Sequence, residues 1–100
     1  MTLNPPPVVE SALDAIGNTP LIKLNHLVPE GSADVYVKLE SFNPTGSKKD
    51  RMALAMIEGA EKRGELRPGM SVVEYSGGST GAGLALVCAV KGYHFHIISA

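Results

Sequence analysis

Ser41-Phe42-Asn43-Pro44-Thr45-Gly46-Ser47-Lys48-Lys49-Asp50-Arg51 is the stretch on which the reading of the whole chain turns. Asn43-Pro44 and Thr45-Gly46 are turn chemistry, and Ser47 with Asp50 three residues on fits a capping box that opens a helix at Lys48. Lys49 then stands in a first helical turn, where unpaired N–H groups carry partial positive charge and favour anions. A cation there is electrostatically misplaced. Lys48 and Arg51 add like charge, and partial burial would act in the same direction. All three effects favour the neutral amine, a nucleophile able to form a Schiff base. The competing reading is a solvated surface lysine beside an Asp50 that offsets the helix field, and position alone favours that reading.

Working outward, Asp34 to Glu40 alternates as a strand that delivers the chain to this turn. After it, Ala53, Met56, Ile57 and Ala60 fall at helical spacing, and Gly64 is a natural stop. Met52 and Met56 read as core filler. Pro68-Gly69 turns the chain into a strand over Ser71 to Tyr75, Ser76 to Gly81 is a tight polar loop, and Leu84 to Val90 is apolar nearly all round and therefore a buried helix. Lys91-Gly92 closes that helix, and Tyr93 to Ser99 returns as a strand. Strand, helix, strand, helix, strand predicts an α/β parallel sheet with its ligands at the carboxyl ends of the strands. On that scheme the turns at 43–47 and 76–81 share one sheet edge. Upstream, Met1 to Pro7 reads as an extended arm, Val8 to Ile16 as a short helix ended by Gly17-Asn18, Leu21 to Asn25 as a short strand and His26 to Ala33 as a loop.

The loop Ser76-Gly77-Gly78-Ser79-Thr80-Gly81 supplies three glycines and three hydroxyls between a strand and a helix. Glycine admits close approach to the backbone, helix-start N–H groups attract an anion, and hydroxyls direct hydrogen bonds, so a carboxylate or phosphate fits. A close-packed turn with no ligand is the alternative. No G-K-[ST] follows the glycines and they do not space as G-x-G-x-x-G, which sets aside a P-loop and a dinucleotide fingerprint. Gly77-Gly78-Ser79-Thr80-Gly81 does spell G-x-S-x-G, so a serine hydrolase with Ser79 as nucleophile is the rival from another class, although nothing acidic follows Glu74 to complete a triad. His94 and His96 share a strand face without a third ligand, so no metal site is expected; His26 stands alone; Cys88 is a small core residue; Glu74 faces water or pairs with a lysine.

Nine basic against ten acidic side chains give a net charge of −1, which provides no electrostatic case for nucleic acid or an acidic membrane. No apolar run reaches the ~18 residues of a spanning helix, and a single cysteine cannot pair internally, so a reducing compartment such as the cytoplasm is the default. The chain stops on Phe95-His96-Ile97-Ile98 followed only by Ser99-Ala100, from which a fragment is expected.

Ile16-Gly17-Asn18-Thr19-Pro20-Leu21, Lys38-Leu39-Glu40, Asn43 to Arg51 and Glu74 to Gly81, in that order and at those separations, resemble the opening third of the cysteine synthase (O-acetylserine sulfhydrylase) family. Cystathionine β-synthase is a close relative, and both are fold-type II pyridoxal-phosphate enzymes. The resemblance implies the first part of a parallel-sheet three-layer sandwich of the tryptophan synthase β-like class. Residues 1–15 would then be arm and short helix, and residues 16–100 the N-terminal part of a catalytic domain. It implies pyridoxal 5'-phosphate as cofactor, held by the lysine directly before Asp-Arg, which is Lys49; that residue also serves as α-proton base. The implied reaction is β-replacement or β-elimination on a small amino acid, most closely O-acetylserine plus sulfide to cysteine, in a homodimeric parent protein. Ser76, Gly77, Gly78, Thr80 and Gly81 become the substrate-carboxylate loop, and Ser79 a cofactor contact. The familiar loop reads Thr-Ser-Gly-Asn-Thr-Gly, so Ser79 replaces an asparagine and Gly77 a hydroxyl, which leaves a dehydratase or another β-eliminating enzyme of the same fold open. The family's phosphate loop and the group facing the pyridine nitrogen fall beyond residue 100, so residues 1–100 alone are expected to be inactive and poorly folded. An inactive truncated copy or a binding module is the non-enzyme reading.

Overall fold

A computed structural model describes residues 7–99. The expected arm, residues 1–7, lies outside the described residues except for Pro7. Two single turns of 3-10 helix, Ala12–Ala15 and Glu40–Phe42, accompany six longer elements: β1 (Leu21–Lys23), β2 (Tyr36–Lys38), α1 (Lys49–Lys62), β3 (Ser71–Tyr75), α2 (Ser79–Lys91) and β4 (His94–Ile98). The helix predicted over Val8 to Ile16 contracts to that first 3-10 turn. Ser11 Oγ accepts from Leu13 N–H at 3.1 Å and opens it, while left-handed Gly17 (φ 85°) and Asn18 (φ 48°) turn the chain away directly after Ile16.

β3 and β4 pair in parallel with α2 crossing between them, in the register Ser71↔His94 to Tyr75↔Ile98. This is the predicted α/β unit. β2 departs from prediction: it pairs antiparallel with β1, Leu21↔Lys38 to Lys23↔Tyr36, in a sheet of its own. Leu24 N–H to the Val35 carbonyl and Leu39 N–H to the Pro20 carbonyl, both 2.9 Å, lengthen that ladder at each end. Alternation marks a segment as a strand without naming its neighbour, and the nearest strand in sequence competes well because its loop closes cheaply.

The core lies between the helices. Ala53 and Ile57 of α1 meet Leu84, Val87 and Cys88 of α2, with Tyr93 at the end. Each fully buried aliphatic side chain there contributes roughly 1.5–3 kcal/mol relative to exposure. Tyr93 Oη donates to Glu61 Oε2 at 2.7 Å, and Lys91 Nζ reaches Glu61 at 2.8 Å and Glu58 at 3.1 Å, so the far ends of the helices are clipped together. Gly92 (φ 83°) supplies the left-handed cap that ends α2. The outer face of the parallel pair is bare: Val73, Tyr75 and Ile98 are each more than half exposed. A parallel sheet is ordinarily covered on both faces, and among the described residues nothing covers this one.

Candidate active site

The start of α1 is built by a folded-back turn. Gly46 N–H bonds the Asn43 carbonyl at 2.8 Å, and left-handed Gly46 (φ 85°) brings Thr45 against the first helical turn. Ser47 Oγ accepts from Lys49 N–H at 3.1 Å, but α1 begins at Lys49 with Lys48 as its cap residue, one position later than predicted. The other half of the predicted capping box is rearranged. Asp50 accepts from Thr45 N–H at 2.8 Å and from the Thr45 hydroxyl, rather than from the Ser47 amide. Asp50 is wholly buried. A carboxylate can be kept there because it faces a helix start and two donors.

A second frame holds the same turn from outside. Arg51 forms a two-pronged bond to Glu40, 2.8 Å from Nε and 2.9 Å from Nη2, and also donates to Thr19 Oγ1 at 3.2 Å. Thr19 donates its hydroxyl to Glu40, Lys38 Nζ bonds the Thr19 carbonyl at 2.6 Å, and buried Asn43 links Gly17 N–H at 2.7 Å to Glu40 Oε2 at 3.1 Å. Thus the Gly17-Thr19, Lys38-Glu40 and Asn43-Arg51 segments, separate in sequence, are one polar network. Sequence reading quoted these segments without seeing that they touch.

Arg51, with Thr19 and Asn43 after it, holds the Glu40 carboxyl down at about 2 from its ordinary 4.5. Because the folded value lies below the unfolded one, the network's contribution to stability is complete above about pH 4.5 and is lost as pH falls toward 2. Thermal melts between pH 5 and 2 should therefore fall more steeply for the wild type than for Glu40→Gln. Since the pair is partly exposed, added salt should narrow the gap. Parallel melting curves for the two proteins would refute the assignment.

At the other turn, Ser76 N–H continues the ladder to the Ile98 carbonyl at 3.0 Å. The Ser76 hydroxyl points inward and accepts from Gly78 N–H at 3.2 Å and Gly81 N–H at 3.1 Å. The predicted loop is shorter than 76–81, because α2 already begins at Ser79; Ser79, Thr80 and Gly81 form its first turn. The N–H groups of Gly77, Ser79 and Thr80 have no partner among the described residues. Gly77, Gly78 and Ser79 are exposed, Thr80 is half-buried and Gly81 is buried against Ile97.

The helices that the two turns open pack together, by a route other than the predicted sheet edge. At Gly83 of α2 a Cβ would stand 3.0 Å from the Lys49 carbonyl oxygen and 3.2 Å from Asp50 Oδ1, so α1 and α2 start side by side with backbone nearly in contact. Lys49 is half-buried there, and its amine makes no ion pair or hydrogen bond among the described residues. Cavities of 390, 340 and 300 Å³ open elsewhere on the surface, none lined by Lys49 or residues 76–81. His26, His94 and His96 are exposed, and no group of three potential metal ligands gathers among the described residues. Burial pushes the Cys88 thiol up, consistent with a core residue. No hydrogen bond joins Ser79 Oγ to a histidine or carboxylate among the described residues, as a hydrolase nucleophile would require.

Residues 12–100 match the family described as pyridoxal-phosphate dependent enzyme. The chain belongs to this family. A cysteine synthase from Staphylococcus aureus is 56% identical over 85 residues, which are 85% of this chain and 27% of that protein. Cysteine synthase B from Salmonella typhimurium is 52% identical over 83 residues, again 27% of its length. Among solved structures, O-acetylserine sulfhydrylase isoform 3 from Entamoeba histolytica superposes with a TM-score of 0.87 at 39% identity, covering 98% of this chain and 31% of that one. A hydrogen sulfide-producing enzyme from Fusobacterium nucleatum gives 0.86 at 46% identity, covering 94% and 31%. The chain thus spans about a quarter of the length of the curated relatives it matches. The described residues suit the family's cofactor, an aldehyde that takes an amine: Lys49, whose amine has no partner among the described residues, lies with its carbonyl against α2, and the Gly77, Ser79 and Thr80 N–H groups at the start of that helix are likewise without a partner there.

No helix among the described residues is long and apolar enough to cross a membrane.

Proposed function

We propose that, in a chain of the relatives' full length, these residues form the lysine and substrate-carboxylate half of an enzyme that replaces or eliminates the β-substituent of an amino acid, most closely a cysteine synthase acting on O-acetylserine and sulfide. The observation that carries this reading is the packing of α1, with Lys49 in its first turn, against α2, which the 76–81 turn opens, Gly83 of α2 meeting the Lys49 carbonyl. Lys49 would hold the cofactor through its amine, and Ser79 Oγ would bond it from the first turn of α2. Pyridoxal 5'-phosphate, when bound, supplies the sink for the electron pair left at the substrate α-carbon. Lys49 Nζ would take the proton from that carbon as a general base. The Gly77, Ser79 and Thr80 N–H groups and the Thr80 hydroxyl hold the substrate carboxylate, helped by the positive end of α2. Asp50 with Thr45, and Arg51 with Glu40, keep the backbone around Lys49 from moving as charge shifts at the site. A homodimer working in the cytoplasm on a small amino acid completes the proposal, on the resemblance and on the single cysteine.

Borohydride reduction of the loaded full-length protein followed by peptide mapping tests it. The pyridoxyl group should be found on Lys49; a label on Lys48, or none, refutes the assignment. Turnover of O-acetylserine with sulfide, set against simple elimination, decides between synthase and lyase.

A further inference from the structure

The Ser76 hydroxyl was expected among the groups that grip the substrate carboxylate, yet it faces the other way. It accepts from Gly78 N–H at 3.2 Å and Gly81 N–H at 3.1 Å, tying the start of the turn to the first turn of α2. Between those two bonds lies Gly77-Gly78, which among the described residues has one further restraint, the Gly78 carbonyl accepting from Ala82 N–H at 3.3 Å. A Cβ at either glycine would meet no atom within 4 Å, neither residue is left-handed, and both are exposed. A Gly-Gly pair with no side-chain packing is the most conformationally free dipeptide a chain can carry, so holding its amides in one orientation needs an anchor. Ser76 Oγ is that anchor. It occupies the Gly78 and Gly81 amides and leaves those of Gly77, Ser79 and Thr80 without a partner among the described residues.

We infer that Ser76 is a positioning residue: its hydroxyl folds the turn from inside so that the Gly77, Ser79 and Thr80 amides face the substrate, and it does not itself touch the carboxylate. This rests on the proposed role of the turn as the carboxylate site. It follows that the site holds its anion chiefly through backbone N–H groups, and that any side chain at 76 able to accept both bonds will serve.

Hydrogen exchange and kinetics on the loaded full-length protein, wild type, Ser76→Ala and Ser76→Thr, test this. Without substrate, Ser76→Ala should speed exchange of the Gly78 and Gly81 amides about tenfold or more, and raise KM for the amino-acid substrate about tenfold with a smaller change in kcat, the scale set by losing a net hydrogen bond or two. Ser76→Thr, which keeps the acceptor oxygen, should restore both. Unchanged exchange at Gly78 and Gly81 in Ser76→Ala, or failure of threonine to restore it, overturns the inference. In the wild type, added L-alanine should slow exchange at Gly77, Ser79 and Thr80. If it does not, the carboxylate reading itself fails and the positioning role falls with it, whatever the Ser76 variants show.

Discussion

Lys49→Ala is expected to abolish the pyridoxal-phosphate absorbance band of the full-length protein and to lower turnover at least about a thousandfold, whereas Lys48→Ala stays within a few-fold of wild type. The two lysines are neighbours of the same chemistry, so the contrast isolates position. Lys48 is exposed at the mouth of the turn. Lys49 is half-buried in the first turn of α1, with its carbonyl against Gly83 and so at the start of α2. Neither amine makes an ion pair or hydrogen bond among the described residues, so neither substitution removes one. Melting of both variants should lie within about 0.5 kcal/mol of the parent, which separates lost chemistry from lost folding. If Lys48→Ala were the inactive variant, the reading of the Asp50-Arg51 pair as the marker of the reactive lysine would be wrong. Equal loss in both would mean that summed positive charge near the turn matters rather than one amine.

What could be read from the sequence is what depends on near neighbours. The ends of α1 and α2 follow from Gly64 and Gly92, both left-handed as a helix stop requires, and the 43–46 turn from Asn43-Pro44 and Gly46. The core face of α2 follows from Leu84, Val87 and Cys88 at helical spacing. The misses concern partners. Alternation in β2 carried no information that β1 would be its neighbour, and Ser79 to Gly81 looked like loop because small polar residues open helices as readily as they fill turns. Asp50 reaching Thr45 instead of Ser47 depends on the sign of φ at Gly46, which composition suggests only weakly. The Glu40–Arg51–Thr19 network joins residues 11 to 32 positions apart, and no periodicity spans that. Its signal lay in the resemblance, since three of the four segments quoted for it, all but Glu74 to Gly81, hold the corners of the frame around the turn before Lys49.

Gly83→Ala is expected to cost about 1–3 kcal/mol and to cut activity steeply, while Gly81→Ala is nearly silent in stability. The distances taken alone say the opposite. An added Cβ would overlap Ile97 Cδ1 at Gly81, whereas at Gly83 it would stand 3.0 Å from the Lys49 carbonyl oxygen. What decides is whether the neighbour can yield. Ile97 Cδ1 is the tip of a side chain that is half exposed, so a change of rotamer relieves the overlap at small cost. The obstacle at Gly83 is backbone, with the Lys49 carbonyl carbon and Asp50 Oδ1 each 3.2 Å away, and that backbone is pinned by Asp50 to Thr45 and by Arg51 to Glu40. It cannot move without carrying Lys49 with it. Misplacing a reacting group by about 1 Å can cost a hundredfold in rate. Gly83→Ala should therefore lose more activity than its stability loss explains, while cofactor still binds, as the remaining absorbance band would report. Substituted protein with wild-type turnover would show that α1 and α2 can part without moving Lys49, and that the contact between the two helix starts does not set the geometry of the site.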